Sequence, residues 1–121
     1  MPTYKTIFHK EQNTPLVERA KWCHSFGSKL QGFMFKKTLT PEEALVLVEK
    51  SENRVNTAIH MLFMNFDLGV LWVNASGEVV DKTYAKRWKL QYTPSKPAQY
   101  VIEMHPSLLD VVKIGDHIEF Q

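Results

Sequence analysis

The sequence predicts a mainly β fold, either an antiparallel β-sandwich or a partly closed barrel, with two short helices. Three observations support this: many short apolar stretches with strand character, turn signals between them, and no alternation of strands with long helices. The chain has 121 residues, of which 44% are hydrophobic and 23% charged. This length and composition predict a single domain over residues 1–121.

The N-terminal third predicts two strands followed by a short helix. Residues 4–8 alternate loosely and residues 16–22 carry spaced apolar side chains, so both are predicted as strands, with a turn at residues 11–15. From Ser25 to Phe35 the apolar spacing is helical, and Ser25 can cap the helix. The apolar face of this helix is formed by Phe26, Leu30, Phe33 and Met34.

Residues 40–48 allow two interpretations. Thr40, Pro41 and Glu43 form a helix-start signal, with a cap, a proline at the first position and a capping-box acid. Residues 44–48, however, are apolar throughout and rich in valine, which is typical of a buried strand. We favour a single turn that feeds a buried strand, followed by a polar loop at residues 50–53, over a ten-residue buried helix.

The most informative stretch is residues 55–73. Residues 59–64 and 68–73 are apolar on both alternating faces, which predicts two strands covered on both sides, with His60 buried in the first. Residues 74–77 read Asn-Ala-Ser-Gly and predict a hairpin turn, after which residues 78–81 begin the return strand.

The C-terminal third predicts a surface excursion and two more strands. Residues 82–97 are polar and basic and end in prolines, which do not suit a sheet. Residues 98–103 alternate as a strand, and residues 105–112 allow one or two helical turns. Gly115 and Asp116 then turn the chain into a last strand at residues 117–120.

Composition narrows the functional classes. The formal net charge is +2, which gives no strong electrostatic signature of DNA binding. The single cysteine, Cys23, excludes an intramolecular disulfide. The sequence shows neither a signal-peptide pattern nor an apolar run of about 18 residues, so we expect a cytoplasmic protein with no membrane partner, as a monomer or weak homodimer.

The usual catalytic and metal-binding signatures are absent from the sequence. It contains no glycine-rich phosphate loop and no G-x-S-x-G element, and its five histidines show no metal-ligand spacing, so we expect no cofactor and no metal. Cys23 precedes His24, but neighbours on a strand point to opposite faces. A buried thiol is therefore expected rather than a Cys–His dyad.

Several residues together resemble a known family. They are Gly32-Phe33-Met34-Phe35-Lys36, Ile59-His60, Phe63-Met64, Phe66, the hairpin at 73–80, Ala98, Glu103 and Gly115-Asp116. In this order and spacing they resemble the domain of unknown function 192 family, which is widespread in bacteria and archaea, over residues 19–120. The resemblance implies a compact mainly β fold and no particular activity.

The chain also departs from the pattern of that family. Lys36 stands where the family usually has arginine, and Asn65, Asp67 and Gly69 stand where a subfamily has Arg, Pro and Asp. Positions 67 and 69 share one face of a strand. Asp67 is therefore a candidate replacement for the missing acid, roughly 6–7 Å from its usual place.

Three functions are compatible with the sequence. The favoured one is a non-enzymatic module that binds a small molecule or a protein, with Lys36, His60, Asn65 and Trp88 as candidate contacts. The alternative is a hydrolase-type enzyme in which His60 acts with Asp67 or another acid.

The further alternative is binding of single-stranded nucleic acid by the segment from Lys82 to Lys96. Lys86, Arg87, Trp88 and Lys89 interleave cations with an aromatic ring, as such binding requires. We disfavour nucleic acid as a partner, because the net charge is low and four cations form a weak phosphate-binding surface. The simpler interpretation is a surface loop with Trp88 packed into the domain.

Acidic residues are expected to form structural ion pairs. Glu103 is the main example, because Arg54 or Arg87 are within its possible reach.

Overall fold

A computed structural model describes residues 2–121 of the chain. The strands are Thr3–His9 (β1), Thr14–Cys23 (β2), Glu43–Asn53 (β3), Leu68–Val73 (β4), Val79–Ala85 (β5), Ala98–Met104 (β6) and Ile118–Phe120 (β7). A short α-helix, α1, spans Phe26–Gln31, and a 3₁₀ helix spans Pro106–Val111.

The seven strands form one sheet in the order β5-β4-β6-β3-β2-β1-β7. The sheet curls into a half-barrel, which confirms the predicted mainly β class and its partly closed barrel alternative. The prediction of wholly antiparallel pairing is wrong at one place, because β2 and β3 run parallel. The chain between them, which includes α1, crosses one face of the sheet.

Contacts between the two edges of the sheet draw the barrel together at one end. Glu78 and His117 form an isolated antiparallel bridge. Val79 N donates to Asp116 O at 2.8 Å, and Ile118 N donates to Gly77 O at 2.8 Å. We call these contacts the barrel closure. They join the β4–β5 hairpin to the start of β7.

Both faces of the sheet are covered by apolar side chains. On β4, Leu68, Val70 and Trp72 join one buried cluster, whereas Leu71 and Val73 join the other. The first cluster is completed by the loop at residues 54–67. The second includes Val112 and packs against Leu108 and Leu109 of the 3₁₀ helix. This alternation explains why every residue of β4 is buried, as the two-sided apolar pattern predicts.

Most predicted elements are confirmed. The strands at both ends, the hairpin at 74–77 and the helical turns after residue 105 are all present. A turn feeds the buried strand β3, and Thr40 N donates to Glu43 Oε1 at 3.0 Å, so the capping-box pair closes a turn rather than starting a helix. The helix is present as α1, but it ends at Gln31 and not near Phe35, so Phe33 and Met34 follow it in a turn. The side chains of Phe26 and Leu30 on its predicted apolar face lie outside the described residues.

Three other predictions, two strand boundaries and one strand, are wrong. Residues 50–53 continue β3 instead of forming a loop, and residues 82–85 continue β5 instead of leaving the sheet. Residues 59–64 do not form a strand, because their backbone bonds to the loop that follows β5. Met61 N donates to Lys89 O, and Met61 O accepts from Trp88 N. Phe63 then takes a left-handed φ of 62°, which ends any extended run.

Candidate functional site

A cavity of about 400 Å³ lies on the sheet face that α1 and the loop at 54–67 cover. Its walls are mostly apolar. The apolar residues come from the loop after α1, the loop at 54–67 and strands β3, β4 and β6: Phe33, Met34, Leu47, Ala58, Ile59, Met64, Leu68 and Val101. Its polar residues are Lys29, Gln31, Glu49, Asn56, His60 and Glu103.

Glu103 is the unusual residue of the cavity wall. It lies on β6 opposite Leu45 and Val70, and it is only 6% exposed. Among residues 2–121, no side chain or backbone group hydrogen-bonds or ion-pairs with its carboxyl group. Burial alone acts on this group and raises the pKa of Glu103 from 4.5 to about 7.

The predicted ion pair of Glu103 is therefore wrong. Arg54 Nε donates to the Pro94 carbonyl at 2.9 Å, and Arg87 Nε lies 3.5 Å from Asp67 Oδ1. Both arginines are thus held elsewhere in the molecule.

Helix α1 brings the backbone of Gly32 next to this carboxyl group. Ser25 caps the helix by accepting from Ser28 N, and Gly32 ends it with a φ of 46°. A Cβ atom at position 32 would lie 3.4 Å from Glu103 Oε1. Glycine at this position therefore keeps space open beside the carboxyl oxygen.

Two of the charged residues that line the cavity, Lys29 and Glu49, form an ion pair. Lys29 Nζ lies 2.6 Å from Glu49 Oε2 and also donates to the Val48 carbonyl at 3.2 Å. Lys29 is thus satisfied by β3. Within the described chain, Glu103 is the one acidic residue of the cavity without a cationic partner.

His60 lines the cavity but is exposed, so the prediction of a buried His60 in a strand is wrong. Its Nδ1 accepts from Leu62 N at 3.2 Å, which leaves Nε2 for solvent or a ligand. Asp67 does not line the cavity. The structure therefore brings His60 to the same cavity as Glu103 but does not join it to Asp67.

Asp67 is held by the strand and loop beside it. Its carboxylate accepts from Arg87 N at 2.9 Å and from Tyr84 Oη at 2.7 Å. The Arg87 backbone N–H, more than any other group, lowers the pKa of Asp67. Gly69, where the subfamily has an acid, faces the 3₁₀ helix, and a Cβ atom there would lie 3.0 Å from Leu109 Cγ.

The remaining candidate residues lie on a second surface. Asn65 Nδ2 donates to the Lys36 carbonyl at 2.9 Å, and Arg87 donates to the Asn65 carbonyl at 3.3 Å. Trp88 is 55% exposed, so the expectation that it packs into the domain is wrong. Lys86 and Lys89 flank it and are also exposed.

Cys23 is buried and His24 is exposed, which confirms the expected buried thiol. Burial raises the pKa of the Cys23 thiol, and the nearby Glu103 carboxylate adds to this effect. A thiol held in its neutral form is a poor nucleophile.

One further group of potential metal ligands lies at the barrel closure. Ligand atoms of His9, Glu11 and Asp116 lie within 4.8 Å of one another. His9 Nε2 is 2.7 Å from Asp116 Oδ2, and Glu11 binds both His117 N and His117 Nδ1 at 2.7 Å. His9 and Glu11 are two residues apart, but Asp116 comes from a distant segment, so their spacing in sequence gave no metal-site signal. The buried His9 Nδ1 has no hydrogen-bond partner in the part of the chain described.

The sequence interpretation did not place Glu103 in a binding site. A signal was available, because Glu103 shares one face of β6 with Val101, which belongs to a buried apolar cluster, and with Gln99. The sequence alone could not show that none of the described residues around Glu103 places a cation beside its carboxyl group.

A family model described as "Uncharacterized ACR", DUF192, matches residues 7–120. Among curated relatives, a UPF0127 protein of Thermococcus kodakarensis is 39% identical over 84% of this chain, and the match spans 64% of that relative's length. A UPF0127 protein of Pyrococcus furiosus is 33% identical over 83% of this chain and 84% of its own.

Two crystal structures share the fold. A protein of unknown function from Novosphingobium aromaticivorans has a TM-score of 0.83 at 18% identity, over 98% of this chain and 84% of that one. A putative transcription regulator from Sinorhizobium meliloti has a TM-score of 0.85 at 13% identity, over 98% and 95%. Neither of the six-residue helices in residues 2–121 reaches the length needed to cross a bilayer.

Proposed function

The chain belongs to the DUF192 family, whose description assigns no activity, and we propose that it is a module that binds a small organic ligand in the cavity. The ligand has an apolar body and a cationic amine, or another N–H donor, that bonds to Glu103. This is the binding-module hypothesis that the sequence favours. The ligand contacts, however, are the cavity residues and not Lys36, Asn65 and Trp88.

The observation that carries this proposal is the unpartnered carboxyl group of Glu103. A buried charge or polar group without a partner costs free energy, so proteins normally pair such groups. Here no described residue does so, and the group borders a cavity. A ligand that donates a hydrogen bond removes this cost, which makes its affinity depend on the donor.

The size and lining of the cavity fit a small molecule. Ligand sites are commonly concave and mostly apolar, with few polar groups and volumes of about 300–1,000 Å³. The cavity volume falls within this range, and eight of its fifteen lining residues are apolar. Leu47, Met64 and Val101 supply apolar contact, while His60 and Asn56 add polar contacts.

The family motifs also support the cavity as the site. The Gly-x-Met-Phe element contributes Gly32, Phe33 and Met34, and the second motif contributes Ile59 and His60. Four of the eight quoted elements, including Met64 and Glu103, therefore meet around one cavity.

The test is a binding screen with paired ligands. We expect primary alkyl- and arylalkyl-amines to raise the melting temperature, whereas alcohols of the same carbon skeleton have little effect. A ligand at 100 times its Kd stabilises the native state by about 2.7 kcal/mol. The shift is expected to disappear in Glu103→Leu and to remain in Glu18→Gln, which changes an exposed glutamate on β2.

Two results would contradict the proposal. One is equal shifts with amines and alcohols, because Glu103 would then contribute nothing to recognition. The other is amine binding that Glu103→Leu leaves intact, since the site would then lie elsewhere.

The hydrolase alternative also has one supporting observation. A carboxyl group with a pKa of about 7 suits a general base at neutral pH, and His60 lines the same cavity. In this form Glu103 replaces Asp67 as the acid partner. Turnover of ester substrates that Glu103→Gln abolishes, with a pH–rate profile that bends near pH 7, would favour the enzyme over the passive module.

A further inference from the structure

We propose that a second site, the aromatic surface formed by Phe35, Phe63 and Trp88, binds single-stranded nucleic acid. This inference is independent of the cavity and its ligand. It rests on three rings that lie open to solvent, on the backbone that presents them, and on the cations around them.

The three rings are in contact with one another and exposed. Phe35 is 68% exposed, Trp88 55% and Phe63 45%. Phe63 stacks on Phe35 with centroids 5.3 Å apart and meets Trp88 edge-on, also at 5.3 Å. Large contiguous apolar patches of this kind on soluble proteins commonly mark interaction sites.

The backbone of each ring residue has a positive φ. Phe35, Phe63 and Trp88 have φ values of 65°, 62° and 68°, and they are three of the four non-glycine residues with positive φ in residues 2–121. This conformation is strained for bulky side chains and is concentrated at functional sites. Three loops therefore each contain an aromatic residue with an unfavourable positive φ, and the three rings lie at the same surface.

Hydrogen bonds hold the three loops together. Phe35 N donates to the Phe63 carbonyl at 3.1 Å, and Trp88 N donates to the Met61 carbonyl at 2.7 Å. Asp67 also fixes the loop that carries Trp88, through the backbone N–H of Arg87. The rings are thus held in place before any partner binds.

Cationic residues adjoin the ring residues in sequence: Lys36 and Lys37 follow Phe35, and Lys86, Arg87 and Lys89 flank Trp88. Lys36 pairs with Glu43 at 2.7 Å, and Arg87 contacts Asp67 at 3.5 Å. Lys37, Lys86 and Lys89 have no carboxylate within ion-pair distance in the part of the chain described. The surface therefore has a local positive excess that the overall charge of +2 does not reveal.

Aromatic rings beside unpaired cations match the chemistry of a single strand. Bases stack on aromatic side chains whatever the sequence, and phosphates lie against lysine and arginine. An apolar protein partner would cover the rings but would leave the lysines without counter-charges. Charge complementarity therefore favours nucleic acid.

The experiment measures fluorescence anisotropy of a labelled oligothymidine of about 12 nucleotides, a length within the usual site size. We expect binding at low salt. If about three phosphates are contacted, a tenfold rise in salt weakens the affinity about 100-fold. Replacing Lys37 and Lys86 together by Gln is expected to lower the slope of log affinity against log salt by about 1.4.

Leucine variants separate stacking from general apolar contact. Trp88→Leu and Phe35→Leu keep apolar side chains but remove the rings, and each is expected to weaken binding roughly 5- to 150-fold. The matched control is Tyr4→Leu, an exposed aromatic residue on β1 that contacts Arg19. It is expected to bind as the unchanged protein does. Circular dichroism checks that every variant is folded.

Three outcomes would overturn the proposal. One is no binding at low salt. Another is binding that both leucine variants retain in full, which would show contact with phosphate alone. The third is concentration-dependent self-association that Trp88→Leu abolishes, without oligonucleotide binding, which would assign the surface to a protein partner.

Discussion

At the residue scale, Glu103 couples the cavity to proton binding. Its carboxyl group has a pKa of about 7 in the folded protein, against 4.5 in the reference state. Between these values the folded protein keeps a proton that the unfolded chain releases. Stability linked to this group is therefore fully present below about pH 4.5 and is lost as pH rises towards 7.

We expect Glu103→Gln to remove this loss. The unchanged protein should lose about 3 kcal/mol of unfolding free energy through this group between about pH 4.5 and pH 7, because one pKa unit corresponds to 1.36 kcal/mol. The glutamine variant carries no such proton. Urea unfolding of both proteins at a series of pH values measures the difference between their profiles.

Other titrating groups cancel in this comparison, because both proteins contain them. Parallel profiles for the two proteins would show that Glu103 keeps an ordinary pKa, and would also remove the main support for the ligand site.

The sequence predicted the burial of a side chain correctly where residues nearby in the chain determine it. It failed where contacts with residues distant in the chain determine it. The buried thiol of Cys23 follows from its place in a strand. The exposure of His60 and Trp88 could not be predicted, because their loops bond to each other across 27 residues of chain, at Met61 and Lys89.

At the element scale, the β4–β5 hairpin depends on its glycine. Gly77 has a φ of 91°, and a Cβ atom there would lie 2.7 Å from the Ile118 carbonyl oxygen. Gly115 has a similar φ of 99° but open space around it. The two glycines thus share a backbone conformation and differ in their surroundings.

We expect Gly115→Ala to cost about 1–3 kcal/mol of stability, the usual cost of a strained backbone conformation. Gly77→Ala should cost at least about 1 kcal/mol more, because the new methyl group displaces Ile118 and weakens the bond from Ile118 N to Gly77 O. Chemical denaturation of the two variants measures this difference. Equal losses of stability in the two variants would mean that the close contact between a Cβ atom at position 77 and the Ile118 carbonyl oxygen does not contribute to the destabilisation.

Elements with a local signal were predicted well. The hairpin has its glycine, β4 has its apolar run, and Gly115 marks the final turn. Residues 59–64 have the same apolar character as β4, and only the bonds to residues 88–92 decide that they form a loop. Apolar content predicted their burial but not their backbone.

At the scale of the whole molecule, polar residues hold the barrel closure. Glu11, from the turn after β1, accepts from the backbone and ring nitrogens of His117, which precedes β7. The His117 backbone N–H is the largest cause of the lowered pKa of Glu11, which falls from 4.5 to about 2. Stability from this group is therefore present above pH 4.5 and is lost as pH falls towards 2.

We expect Glu11→Gln to reduce the acid sensitivity of the protein. The unchanged protein should lose more stability between about pH 5 and pH 3 than the variant, because only the former must protonate this carboxylate to unfold. Urea midpoints at the two pH values measure this, with Glu18→Gln as the matched exposed control. A loss in Glu11→Gln as large as in the unchanged protein would exclude the contact as a source of acid sensitivity.

The order of the strands could not be predicted from the sequence. Nothing in β2 or β3 alone indicates that they pair in parallel, and the pairing of β1 with β7 joins segments more than a hundred residues apart. The cavity depends on this topology, because α1 reaches the sheet only within the crossover from β2 to β3.

The position of β4, second from one edge of the sheet, has a consequence for aggregation. Its sequence, Leu-Gly-Val-Leu-Trp-Val, is uncharged and free of proline, as segments that build cross-β fibrils are. In the native state β5 and β6 occupy both of its edges. Strand β5 is itself an outermost strand, so its detachment would leave one edge of β4 without a partner. The barrel closure opposes this detachment, because it ties the β4–β5 hairpin to the start of β7.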